Sequence, residues 1–170
     1  GKMESESSVS EQLFEKGRDA GQIALRLFPD KPHGHFWYAA NLGELAQLSP
    51  ITVGIKAADD IRSEMLKVIE IDPSFQGASA FDALGELELK TRLFGGSVEK
   101  AIEYLEKGVE VEPTNSNIRL HLAQAYLAAK RKDDAKKQLE TIIKMPPPAD
   151  YRVEHSKAVE EAKKIIEKKF

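Results

Sequence analysis

Two histidines near the start of this sequence are candidate metal ligands. His33 and His35 lie two residues apart in the stretch HGHFWYAANLG. An extended backbone would point both imidazoles to one side, as a zinc site requires. No third ligand follows at a suitable spacing, so we favour a role at a loop or helix start. The sequence predicts neither a metal nor a cofactor.

Paired acidic residues are the second candidate for chemistry. Asp59-Asp60 and Asp133-Asp134 precede predicted helices, where capping and first-turn acids belong. Other carboxylates could form an acid–base pair, but on helices we expect them to be surface charge: Glu44, Asp82, Glu86 and Glu88. There is no nucleophile motif such as GxSxG, and no enzymatic activity is predicted.

Composition excludes several classes of protein. The 170 residues carry a net charge of −3 and no cysteine. Without a clustered basic surface no nucleic acid is predicted as a partner, and without cysteine there is no disulfide or thiolate site. No run of 18 apolar residues is present, so we expect no membrane span. The 41% hydrophobic and 31% charged fractions fit a soluble helical-repeat protein.

The helices that carry these residues are predicted from a repeat in the sequence. Pro73, Pro113 and Pro147 each end a long amphipathic stretch, at spacings of 40 and 34 residues. The 34-residue period is that of the tetratricopeptide repeat (TPR), a pair of helices per repeat. The matching anchor residues lie at Leu42-Gly43, Phe81, Leu84-Gly85, Leu122-Ala123 and Tyr126 of the first helices, and at Ile61, Met65, Ala101, Leu105, Ala135 and Leu139 of the second helices.

The fold predicted is all-α, a TPR-like α-α superhelix of three helix pairs. Small residues at 43, 85 and 123 would let paired helices approach closely, and Ser97 after Gly95-Gly96 would cap a second helix. Helices over 9–28 and 154–169 would bracket the repeats. In the first of these, Leu13, Gly17, Ala20, Ala24 and Leu27 form one stripe. The small residues Gly17, Ala20, Gly21 and Ala24 are expected to pack closely on the first repeat. MPPPADY would be an extended connector.

Domain boundaries follow from the same pattern. We predict a single TPR-like domain over 9–170, preceded by a disordered tail or cloning remnant over 1–8, since Gly1 stands before Met3. An export signal removed from upstream is compatible with this start.

Three stretches resemble one TPR-like family more closely. FWYAANLGEL, then KVIEIDPSFQGASAFDALGELELKTRLFGGSVEKAIEYLEKGVEVEP, then LHLAQAYLAAKRKDDAKKQLETIIKMPPPADYRVE are similar to the T-component of TRAP transporters, the TatT family. The aromatic opening helix and the insert ending in Gly95-Gly96 are the more specific features. The resemblance covers residues 20–168.

That resemblance implies a periplasmic protein held to the membrane only through a lipid anchor upstream of this chain. Its partner would be the substrate-binding protein of a TRAP transporter, and it would form homo-oligomers and bind or pass a small organic ligand. Neither a signal nor a lipid-carrying cysteine is visible here. The alternative is a cytosolic TPR scaffold that binds a peptide or protein in its concave groove.

In TPR proteins the first helix of each repeat lines that groove. Helical rotation of 100° per residue, counted from Gly43, Gly85 and Ala123, then gives the candidate binding residues: Trp37, Asn41, Glu44, Asp82, Glu86, Lys90, Asn117, His121 and Gln124. Lys90 is the one strongly basic residue among them, which argues against a clamp for acidic tails.

The aromatic residues Phe36, Trp37 and Tyr38 span about 200° of a helix, so they cannot all be core. Two interpretations of Trp37 remain open: it faces a ligand or partner in the groove, or it packs under the N-terminal helix.

Overall fold

The computed structural model describes the backbone of residues 2–48 and 55–170 and the side chains of residues 8–48 and 57–170. In this part of the chain it has no strand and the following helices: α1 (Lys2–Leu27), α2 (Pro32–Leu48), α3 (Ile55–Ile71), α4 (Phe75–Lys90), α5 (Val98–Val111), α6 (Ser116–Ala128), α7 (Lys132–Lys144) and α8 (Arg152–Lys169). The all-α, TPR-like prediction of three helix pairs between a first and a last helix is confirmed. The chain divides into two compact units, residues 1–75 and 76–170. The single domain predicted over 9–170 stays a prediction.

In the first unit, α1 packs on α2 and α2 packs on α3. Two glycines of α1 make the first contact close. A Cβ atom on Gly17 would overlap the side chain of Asn41, and one on Gly21 would overlap the backbone of Tyr38. Because glycine has no Cβ, the two helix backbones can approach to this distance. The predicted packing role of these small residues is confirmed.

The apolar residues of α1 do not share that contact. Ala20 is exposed, so its predicted packing on the first repeat is wrong. Leu13 and Leu27 of the predicted stripe are 61% and 66% exposed as well. They lie on a neighbouring face of the helix, because α2 occupies the face of the glycines. α1 also begins at Lys2 rather than at residue 9. The tail predicted over 1–8 stays a prediction, since Gly1 and the side chains of residues 2–7 lie outside the described residues.

Helices α2 and α3 bury the anchors predicted for the first repeat. Leu42 on α2 and Ile61 and Met65 on α3 are buried. The insert predicted between these helices lies largely at 49–54, outside the described residues. α3 begins at Ile55, so Asp59 and Asp60 lie beyond its first turn and do not cap it as predicted. Asp59 accepts a hydrogen bond from Arg62 at 2.7 Å instead.

In the second unit, α6 packs on α5, α7 and α8. The predicted anchors Leu84, Leu105, Leu122 and Leu139 are all buried. Ser97 caps α5 as predicted, because its Oγ accepts the backbone N–H of Lys100 at 3.3 Å. Asp133 and Asp134 lie in the first turn of α7, as expected. The connector between α7 and α8 is not helical, as the prolines at 146–148 predict.

Glu88 departs from its predicted role as surface charge. Glu88 is only 1% exposed, and its Oε2 accepts a hydrogen bond from the backbone N–H of Ser97 at 2.9 Å. The buried carboxylate therefore connects the end of α4 to the start of α5, where the positive end of the helix dipole favours an anion. Hydrophobic periodicity could not show this, because the contact joins residues nine positions apart through a turn.

Substitution of equivalent glycines tests the helix contacts within the repeats. A Cβ on Gly85 would overlap the side chain of buried Leu105, whereas the nearest atom to a Cβ on Gly43 is Ile61 Cδ1 at 3.9 Å. We expect Gly85→Ala to lower the free energy of unfolding by about 1–3 kcal/mol. The matched control Gly43→Ala should be neutral or raise it by up to about 1 kcal/mol. Urea unfolding followed by circular dichroism measures both, and equal effects would contradict the assigned packing.

Candidate functional site

Four of the predicted binding residues meet in the second unit. His121 on α6 lies between two carboxylates of α4: its Nδ1 is 2.7 Å from Asp82 Oδ1 and its Nε2 is 3.5 Å from Glu86 Oε1. Glu86 Oε1 is also 3.2 Å from Lys90 Nζ. Residues 82, 86 and 90 succeed one another at helical spacing, so they share one side of α4. We call these four residues, with Gln124, the α4–α6 face.

This arrangement changes the titration of His121. Burial of the ring opposes its charged form, but the hydrogen bond to Asp82 and the negative charges of Asp82 and Glu86 outweigh burial and the nearby Lys90. The pKa of His121 is therefore raised. Its side chain is 20% exposed, so the imidazolium serves as a partly accessible cation between two acids.

A cleft lies next to this face, at the start of α6 and the start of α8. Its volume is about 160 Å³, and it is lined by Ser79, Asn115, Ser116, Asn117, Tyr151, Glu154 and His155. We call it the α6–α8 cleft. Of these residues Asn117 was among the predicted binding residues. It precedes His121 by about one turn of α6, but its side chain makes no hydrogen bond to the His121 cluster. Gln124 is exposed on α6.

A left-handed turn in α4 borders the cleft. Gln76, Gly77 and Ala78 all have positive φ, which costs about 1–2 kcal/mol for each residue other than glycine. The turn is held by side chains: Asn115 Nδ2 donates to the Gly77 carbonyl at 2.8 Å, and Ser79 Oγ donates to the Gln76 carbonyl at 2.5 Å. Asn115 Oδ1 also caps α6.

Ser116 and His155 form a buried pair that sequence analysis missed. Ser116 Oγ and His155 Nδ1 are 2.6 Å apart, and the two residues are 5% and 7% exposed. The pair joins α6 to α8 across 39 positions of sequence. A serine and a histidine at this separation carry no local signal, and only the folded contact reveals them.

The remaining predicted binding residues lie in the first unit. Trp37 is 48% exposed and meets the edge of Phe36, with ring centroids 5.1 Å apart. Glu44 is exposed. Asn41 lies against α1 at Gly17, and its Nδ2 donates to the Trp37 carbonyl at 2.7 Å. Asn41 was predicted to face a groove because the first-repeat register did not take α1 into account.

The two histidines of the aromatic stretch have separate surroundings. His35 is buried, with Nδ1 2.5 Å from Glu64 Oε2 and Nε2 2.9 Å from the Pro29 carbonyl. His33 is exposed, and its ring meets Phe75 edge-on at 4.8 Å between centroids. Over the described ranges, no three His, Cys, Asp or Glu side chains are grouped as a metal site would need.

Comparison with known proteins supports the repeat assignment. A tetratricopeptide-repeat family model matches residues 96–152, which include all of α6 and α7. Regulator of microtubule dynamics protein 3 from Rattus norvegicus is 24% identical over a 178-residue alignment that covers 96% of this chain and 38% of the relative. This chain thus spans about two fifths of that relative's length. None of the helices that the structure describes is long and apolar enough to cross a membrane.

The exposure of Trp37 gives a stability test with a neighbouring control. Because Trp37 is half exposed while Phe36 is buried against Phe75, the two truncations should differ. We expect Phe36→Ala to cost about 3–5 kcal/mol of unfolding free energy, as for a core aromatic. Trp37→Ala should cost about 1 kcal/mol or less. Chemical denaturation measures both values. If Trp37→Ala lowered the free energy of unfolding as much as Phe36→Ala, Trp37 would be part of the core and the prediction would be wrong.

The raised pKa of His121 makes a pH-dependent contribution to stability. In the unfolded chain its pKa is about 6.5, below the folded value. The charged ring therefore stabilises the fold fully below about pH 6.5, and this contribution is lost as pH rises through the folded pKa. The stability difference between wild type and His121→Gln should therefore fall as pH rises above about 6.5.

Urea unfolding at several pH values checks this dependence. Asp82→Asn removes the negative charge beside the ring and should flatten the same difference. A wild-type advantage over His121→Gln that does not change with pH would contradict the assignment.

Proposed function

We propose that this TPR-like helical repeat protein is a non-enzymatic interaction module that binds a segment of a protein partner along the α4–α6 face. The supporting observation is the contrast between the two sides of α4. Leu84 and Glu88 are buried, while Asp82, Glu86 and Lys90 stand partly or fully open beside His121. A row of accessible polar groups held on rigid helices gives a partner both charge and position to recognise.

The absence of enzymatic activity is part of the proposal. Ser116 and His155 have the spacing of a nucleophile and base, but a catalytic base is itself oriented by a third group. The other ring nitrogen, His155 Nε2, has no hydrogen-bond partner among the described residues. The backbone N–H groups of Asn117 and Ile118 at the same helix start are already engaged by Asn115. A turnover abolished by Ser116→Ala would overturn this part.

The transporter interpretation stays a prediction. It comprises the TRAP T-component role, a periplasmic location, a lipid anchor, a substrate-binding protein as partner and a small organic ligand. The scaffold interpretation has more support, because the repeat match and a relative named as a regulator of microtubule dynamics both favour action through a protein partner. Co-purification of a TRAP substrate-binding protein on co-expression, at stoichiometric ratio, would reverse that preference.

Peptide selection tests the proposed face. Peptides selected from a displayed random library on the wild-type protein are labelled, and their affinity is measured by fluorescence anisotropy. Glu86→Ala and Gln124→Ala should each weaken binding by roughly 3–30-fold, since each removes a contact of about 1–2 kcal/mol. The matched control Glu140→Ala alters a charge on α7 and should leave the affinity unchanged. The proposal would be contradicted if the wild type and the three variants bound the peptides with equal affinity, or if the selection yielded no binding peptide.

A further inference from the structure

We infer that the α6–α8 cleft receives a single cationic side chain of the partner, an arginine, and so anchors the segment that lies on the α4–α6 face. This rests on the proposed function and names the chemistry of its ligand. The volume of about 160 Å³ is well below the roughly 300–1,000 Å³ of typical sites for small-molecule ligands. It therefore suits one long side chain rather than a folded element or a large cofactor.

The cleft holds hydrogen-bonding groups that the fold does not use. The side-chain amide of Asn117, the Tyr151 hydroxyl, the Glu154 carboxylate and His155 Nε2 all belong to lining residues. None of the four has a hydrogen-bond partner among the described residues. His155 is only 7% exposed. Among the described residues no buried side-chain nitrogen or oxygen lacks a partner, so the unpaired Nε2 is accessible from the cleft, where a ligand can reach it.

The charge of the cleft selects a cation. Glu154 is the one acid among the lining residues, and no lysine or arginine lines the cleft. Asp82 follows Ser79 by one turn on α4, so a second carboxylate continues the negative surface towards His121. An anionic ligand would meet Glu154 without a neutralising partner, which disfavours phosphates and carboxylates.

Arginine fits the unused groups better than lysine does. A guanidinium has five N–H donors and no acceptor, and it can bind a carboxylate in two places. Glu154, Asn117 Oδ1 and Tyr151 Oη can each accept. His155 Nε2 can accept too when Nδ1–H donates to Ser116. The half-exposed ring of Tyr151 also offers a face on which a guanidinium can stack.

The test uses N-acetyl-arginine amide and its neutral, nearly isosteric counterpart N-acetyl-citrulline amide. Each is titrated into the ¹⁵N-labelled full chain, and amide shifts are followed by NMR. We expect saturable shifts at Asn117, Tyr151 and Glu154 with the arginine compound. Binding of the citrulline compound should be weaker by roughly tenfold or more, the loss of a charge-assisted contact.

Two conservative variants of α8 provide the control. Glu154→Gln should abolish the difference between the two compounds. Glu161→Gln removes the same charge two turns further along the same helix face, outside the cleft, and should preserve it. No saturable shifts, equal binding of both compounds, or equal effects of the two variants would overturn the inference.

These outcomes separate the cleft from the wider proposal. If the arginine compound fails while selected peptides of other composition still depend on Glu86 and Gln124, the proposed function stands and the arginine inference falls. If the arginine compound binds as described but no peptide depends on the α4–α6 face, the cleft stands and the proposed function falls.

Discussion

The close contact between Gly85 and Leu105 is the constraint on which the proposed binding face depends. Because Gly85 has no side chain, Leu105 of α5 can occupy the space beside the α4 backbone. That contact sets the rotation of α4 about its own axis. Asp82, Glu86 and Lys90 project about 60–140° away from Gly85, so they remain accessible only while this rotation is kept. A structural contact between two helices thereby determines which charges a partner can meet.

With α4 in this orientation, α6 places a histidine opposite the acids of α4. His121 reaches Asp82 and Glu86 from the neighbouring first helix, and the pair of acids keeps it charged more readily than a free imidazole. The second boundary of the site comes from α8, which meets the start of α6 through Ser116 and His155. The α4–α6 face and the α6–α8 cleft are therefore both products of helix packing within one unit of the chain.

Much of the fold could be predicted because its signals are local or periodic. The prolines at 73 and 113 follow the ends of α3 and α5, and Ser97 caps α5 through a bond within four residues. Buried apolar anchors such as Leu84 and Leu122 recur at the repeat spacing. These features depend on backbone chemistry and helical geometry, which a single sequence displays directly.

The errors have the opposite character, since each depends on a contact between distant residues. Asn41 was assigned to a groove, but α1 lies against it through Gly17. Glu88 has the composition of surface charge, yet it is buried beneath the turn before α5. The register placed Asp82, Glu86 and His121 among the groove positions, and the structure brings these three side chains together. The register could not show that His155 lines the neighbouring cleft.

Hydrogen–deuterium exchange of the protein, with and without a tightly bound partner peptide, directly measures whether a partner occupies the α4–α6 face. Occupation of the α4–α6 face should slow exchange in α4 and α6, which carry its side chains, through suppressed local opening. Helices α5 and α7 of the same unit should change less. Protection confined to α5 and α7, or to the first unit alone, would contradict the account.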